Sequence, residues 1–78
     1  MPEKVLYTVL EIQDDHEQVG VLSYTYDDYD DAIKKFYEIM FYASAGTVPV
    51  HSAMIISGGY AMKQDCIRHD LEPGPEEE

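Results

Sequence analysis

The sequence predicts an α+β fold: two layers in the order ββαββ, with a four-stranded, antiparallel-rich sheet in spatial order 2-1-3-4 and one helix packed on one face. Three observations predict it. One long helical signal, YTYDDYDDAIKKFYEIMFYASAG (residues 24–46), stands in the middle of the chain. Two strand-like segments precede it and two follow it. The first of those segments is apolar on both of its faces, the pattern of a strand that lies inside a sheet.

Strand one is expected over Lys4–Ile12. Val5, Tyr7 and Val9 share one face, and Leu6, Leu10 and Ile12 the other. Gln13–Gln18 is a polar turn with Asp14 and Asp15 as turn formers. Val19–Tyr26 is strand two, rich in β-branched and aromatic residues. These two strands form an antiparallel hairpin.

Asp27 or Asp28 is a suitable N-cap for the helix, because a carboxylate there accepts from the free amides of the first turn. Asp30 and Asp31 place negative charge where the helix dipole is positive. Tyr29, Ile33, Phe36, Tyr37, Met40 and Ala43 or Ser44 recur at three- and four-residue steps and form an apolar stripe. Asp30 with Lys34, Asp31 with Lys35, and Lys34 with Glu38 are spaced for exposed ion pairs. Ile39, Phe41 and Tyr42 lie outside that stripe and supply surplus apolar surface. Gly46 is a natural left-handed stop.

Val48–Ile56 is strand three, with Pro49 near its start. Ser57-Gly58-Gly59 is a tight turn, and Tyr60–Ile67 is strand four. In strand four, Tyr60, Met62, Gln64 and Cys66 share one face, and Ala61, Lys63, Asp65 and Ile67 the other. Residues 1–70 thus make a single domain. The segment LEPGPEEE, residues 71–78, reads as a disordered acidic tail. A helical crossover makes strands two and three parallel and leaves room for strand one between them. One helix covers one sheet face. The other face, carrying Val5, Tyr7 and Val9 or their counterparts, is left open, and an open apolar face marks an interface.

Composition narrows the function. Sixteen acids against five Lys and Arg give a net charge of -11, which excludes nucleic-acid binding through phosphates and attachment to anionic membranes. The chain has no run of about 18 apolar residues, as a membrane-spanning helix requires. The N-terminal MPEKVLYTVLEIQDD does not read as a signal peptide, and one cysteine, Cys66, makes no internal disulfide, so a cytoplasmic location is expected.

No reaction signature emerges. Cys66 and His69 form a C-x-x-H pair, with His51 and His16 elsewhere, but a zinc site needs four ligands in repeated close pairs. The plain expectation is a buried strand thiol and solvent-facing imidazoles. A catalytic thiol needs a positive environment, and Arg68 is the single cation near Cys66. The turn at Gly58-Gly59 lacks the phosphate-loop pattern. Catalytic, cofactor-binding and metal residues are therefore expected to be none.

The segment YTYDDYDDAIKKFYEIMFYASAG followed by HSAMII resembles a group of small proteins of bacteriophages and mobile elements of gut Firmicutes. The shared features are an aromatic strand ending in Y-D-D, an alanine- and aromatic-bearing helix ending in Y-A, a hairpin and an acidic, proline-bearing tail. The likeness covers nearly the whole chain. It implies a bacterial or phage setting and carries over no functional residue.

The leading expectation is a small non-enzymatic protein-interaction module that self-associates, as a homodimer, with Val5, Tyr7, Val9, Ile39, Phe41 and Tyr42 as its interface. The alternative is an acidic mimic of nucleic acid that inhibits a DNA-binding host protein through Asp27, Asp28, Asp30 and Asp31.

Overall fold

In the computed structural model, which describes residues 4–70, β1 (Tyr7–Asp14) runs between β2 (Val19–Tyr26) and β3 (Val50–Ser57), and β4 (Tyr60–Arg68) lies beyond β3. The spatial order is β2-β1-β3-β4 and all neighbours are antiparallel, as the sequence predicts. The expected tail, residues 71–78, lies outside the described residues.

Strand boundaries follow pairing partners more than composition. β1 starts at Tyr7 instead of Lys4, because Tyr26, the last residue of β2, is the partner of Tyr7. It extends past Ile12 to Asp14, opposite Val19. The turn that follows is built by side chains. Asp14 accepts from the His16 amide at 2.8 Å, and Asp15 accepts from the Glu17 and Gln18 amides, both at 2.9 Å. His16 takes a positive φ of 74°, tolerated best by short polar residues and glycine. The second hairpin turns on Gly58 and Gly59 with φ of 62° and 84°, the two left-handed positions of a type I′ turn.

The helix α1 (Tyr29–Ala45) crosses from the end of β2 to the start of β3. Asp28 is its N-cap and accepts from the Asp30 amide at 3.2 Å, while Asp30 and Asp31 lie in the first turn. Its buried stripe is Ala32, Phe36, Ile39 and Ala43, flanked by half-buried Tyr29, Ile33 and Met40. This corrects the expected stripe in two places: Ile39 is core, only 3% exposed, and Tyr37 is 56% exposed. The physical reason is the two alanines. Ala32 and Ala43 let the helix backbone sit close to the sheet and set the stripe's axis through Phe36 and Ile39. The expected Asp30–Lys34, Asp31–Lys35 and Lys34–Glu38 pairs are not formed. Lys35 pairs with Glu38 at 3.5 Å and lies 4.2 Å from the centre of the Tyr24 ring.

Gly46 also departs from expectation. Its φ is -95°, so it does not enter the left-handed region. A Cβ there would approach the Tyr42 carbonyl oxygen at 3.0 Å, so the glycine serves close approach. The helix end is held from β4's extension, where the His69 ring nitrogen donates to the Ala43 carbonyl at 2.8 Å.

Val9, Ala53 and Ile55 of the sheet join Ala32, Phe36 and Ile39 of α1 in the core, with Tyr7, Tyr24 and Tyr26 packed around them. The helix therefore covers the face that carries Tyr7, Val9 and Glu11.

Candidate functional site

Residues paired across antiparallel strands share a face, and successive residues alternate. The register therefore specifies the face opposite the helix as rows. Three of them read Val21–Ile12–Ser52–Cys66, Ser23–Leu10–Met54–Gln64 and Thr25–Thr8–Ile56–Ala61. No charged residue occurs in these three rows. Charge enters only in the end row, Val19–Asp14–Val50–Arg68. Ala61 belongs to this face, against the alternation expected from the sequence, because a bulge at Ile55/Ile56 inserts an extra residue into β4. A shallow depression of about 360 Å³ lies between β3 and β4, lined in part by Ser52, Met54, Gln64 and Cys66.

The expected interface set is divided by this geometry. Val9 and Ile39 are in the core, and Tyr7 packs edge-on against Tyr29 with ring centres 5.4 Å apart, so these three are corrected from interface to interior. The physical reason is that both faces of β1 are apolar and the helix takes the Tyr7/Val9 face. The counterparts Leu10 and Ile12 occupy the open one. Val5 is exposed, ahead of β1. Phe41 and Tyr42 are 64% and 60% exposed on the outer side of α1, their rings edge-on at 5.3 Å. They do not join the open sheet face, which lies across the sheet from the helix.

The four acids of the alternative reading, Asp27, Asp28, Asp30 and Asp31, are all exposed. Two have local partners: Asp28 caps the helix, and Asp27 lies 3.4 Å from the Lys4 ammonium.

On the helix-covered face, the sequence reading missed a polar cluster. Glu11 and His51 meet at 2.7 Å, and both side chains are largely buried. Gln13 donates to the same Glu11 carboxylate at 3.0 Å, and the Tyr24 hydroxyl reaches its other oxygen at 3.5 Å. His51 is thus an interior residue and not a solvent-facing imidazole. Its signal in the sequence is its alternation with Ala53 and Ile55, which places all three on one strand face. The cluster holds a carboxylate, an imidazole, an amide and a phenol, hydrogen-bonded to one another.

Cys66 and His69 are also separated. An odd offset along a strand sends two side chains to opposite faces. Cys66 is exposed on the open face, and His69 bonds to the helix end on the other. The expected buried thiol is thereby corrected. Among the described residues, no three His, Cys, Asp or Glu side chains converge to hold a metal ion. His16 and Arg68 instead converge on Asp70, at 2.8 Å and at 3.0–3.1 Å in a two-pronged contact. The Arg68 guanidinium holds the Asp70 carboxyl below the usual carboxylate range. No helix among the described residues is long and apolar enough to cross a membrane.

Comparison of the chain with protein-family models, with curated proteins and with solved structures gives no significant match.

Proposed function

We propose that this chain is a non-enzymatic protein-interaction module that self-associates, burying the open sheet face against a second copy. The observation that carries this reading is the charge distribution. Charged residues make up 27% of the chain, yet none stands in the three rows that centre on Ile12, Leu10, Met54 and Ile56. A face whose charge is confined to Asp14 and Arg68 in its end row, in a chain of net charge -11, is suited to an apolar contact over its other three rows.

The dimensions agree. Four strands at about 4.8 Å spacing and eight residues at about 3.3 Å rise give a face of about 500 Å². Two such faces bury about 1,000 Å² before side-chain relief is counted, which meets the lower bound for a specific interface of roughly 1,000 Å². Stacked sheets of this kind align their strands within about 30° and interleave alternate side chains.

Sedimentation equilibrium tests the reading. The expected result is a mass of at least twice 8.9 kDa for the native chain, and a smaller assembly for Leu10→Asp with unchanged circular dichroism. A native chain that stays at 8.9 kDa at high concentration overturns it.

A further inference from the structure

The first hairpin turn and the connection from α1 to β3 meet at one end of the sheet, where Asp14 of β1 pairs with Val50 of β3. Between them lies a cleft of about 390 Å³, within the size range of small-molecule sites. Val48 and Pro49 line it from the connection, and Asp15, Gln18 and Val19 from the hairpin. Gln13 and Gly20, partners across β1 and β2, complete the lining, and the absent side chain at Gly20 leaves room there.

The electrostatics of this cleft are one-sided. Asp15 is its one charged side chain among the described residues. The Asp15 Oδ1 accepts from the Glu17 and Gln18 amides, both at 2.9 Å, and its Oδ2 has no partner among the described residues. The amides of Gln18 and Glu17 hold the carboxyl below the usual carboxylate range, so it is ionised at neutral pH. None of the five Lys and Arg residues lines the cleft. The nearby cationic side chains turn elsewhere: His16 and Arg68 both bond to Asp70. The helix α1 brings its C-terminal end, which carries partial negative charge, to the same end of the sheet, and no basic residue in its last turn offsets it. The chain thus sets negative potential around a cavity and supplies no cation to it.

The lining also selects the kind of cation. A divalent ion such as calcium takes about six to eight oxygen ligands. No three His, Cys, Asp or Glu side chains converge among the described residues. One carboxylate beside apolar Val19, Val48 and Pro49 suits an organic cation instead. An ammonium group has three N–H donors. Asp15 Oδ2 and the amide oxygens of Gln13 and Gln18 are acceptors to match them. The Gln13 nitrogen is committed to Glu11 at 3.0 Å, which leaves its oxygen for a ligand.

We propose that this cleft binds a primary ammonium group carried on a short alkyl stem, with the charge at Asp15 and the stem along Val19, Val48 and Pro49. Two sources share this chemistry: a free alkylamine or polyamine, and a lysine side chain, which is an ammonium on a four-carbon stem. The site stands apart from self-association, because Gln13 and Gly20 face the helix side of the sheet and not the open face.

Amide NMR of the full chain, titrated with n-butylammonium at fixed ionic strength, tests the proposal. The expected result is a saturable shift centred on the amides of Gln13, Gln18, Gly20 and Val48, which n-butanol does not reproduce. Asp15→Asn keeps the acceptor for the turn amides and removes the charge, and is expected to weaken binding about fivefold. Gly20→Val fills the cleft, with an added Cβ in ordinary contact at 3.9 Å from the Gln13 carbonyl oxygen, and is expected to abolish the saturable shift. Asp31→Asn makes the same charge change at the other end of α1 and is expected to leave the affinity unchanged. Resonances outside the cleft report that each variant is folded. Spermidine and N-acetyl-lysine amide are compared in the same way. Binding of either supports the site, and the tighter of the two names the source. Shifts spread over the chain's acids without a centre at the cleft overturn the proposal. So does n-butanol binding as tightly as n-butylammonium, or an Asp15→Asn chain that binds as tightly as the native one.

Discussion

Glu11 and His51, forty residues apart in the chain, meet at 2.7 Å on the covered side of the sheet, diagonally across β1 and β3. Their contact is an ionisable cross-link at the level of the core. Removing one partner leaves the other buried without its main bond, which costs about 3–5 kcal/mol for a fully buried pair. His51→Ala is therefore expected to lower unfolding stability by about 3 kcal/mol. Glu11→Gln keeps an acceptor for the ring and is expected to cost about 1.5 kcal/mol or less. Urea unfolding of the two variants measures both, and equal losses would argue against a specific pairing.

Ile39 and Phe41 are two residues apart on α1 and separate core from surface. Ile39→Ala removes buried apolar volume and is expected to cost about 2–5 kcal/mol. Phe41→Ala, on the exposed side, is expected to stay within about 0.5 kcal/mol of the native chain. Thermal or urea unfolding at low concentration, where self-association does not contribute, gives the comparison.

Acid is expected to weaken the hairpin ends. The Asp70 carboxyl is lowered by hydrogen bonds from Arg68, and that of Asp15 by the amides of Gln18 and Glu17. A carboxyl with a lowered folded-state value binds protons less readily folded than unfolded. Its stabilising contribution is present above its unfolded value and is lost as pH falls through its folded value. Stability should thus decline on acidification below about pH 4. The difference between native and Asp70→Asn chains should narrow over the same window. A difference that is constant with pH in denaturant titrations would refute the assignment.

The glycines Gly46 and Gly59 predict different kinds of loss. Gly59→Ala forces a side chain into the left-handed region at φ 84° and is expected to cost about 1–2 kcal/mol. Gly46→Ala suits its φ of -95°, so its cost comes from the 3.0 Å approach to the Tyr42 carbonyl. A crystal structure of Gly46→Ala should show the final helical turn displaced, with backbone angles at residue 46 unchanged.

The element order and sheet topology were legible because each rests on local signals: the caps, the Gly58-Gly59 turn, and a first strand apolar on both sides. The two-sided pattern of β1 is also where legibility stopped. Val5, Tyr7 and Val9 on one side and Leu10 and Ile12 on the other are equally apolar, and only packing against Phe36 and Ile39 decides which side is covered. The helix stripe misled at Tyr37 because a large aromatic reads as core, while Ala32 and Ala43, which set the close approach, carry little hydrophobic signal. His51 and Glu11 were missed for another reason. They stand on different strands, forty residues apart, and only the register between β1 and β3 makes them a pair.

The placement of Cys66 has a practical consequence. The single thiol of the chain projects from the face that is proposed to be buried, beside Ser52 and one row from Met54. It is a native probe of that face. A thiol reagent should modify it rapidly in a dilute chain and slowly once a second sheet covers it. The ratio of the two rates reports the occupied fraction without any introduced label.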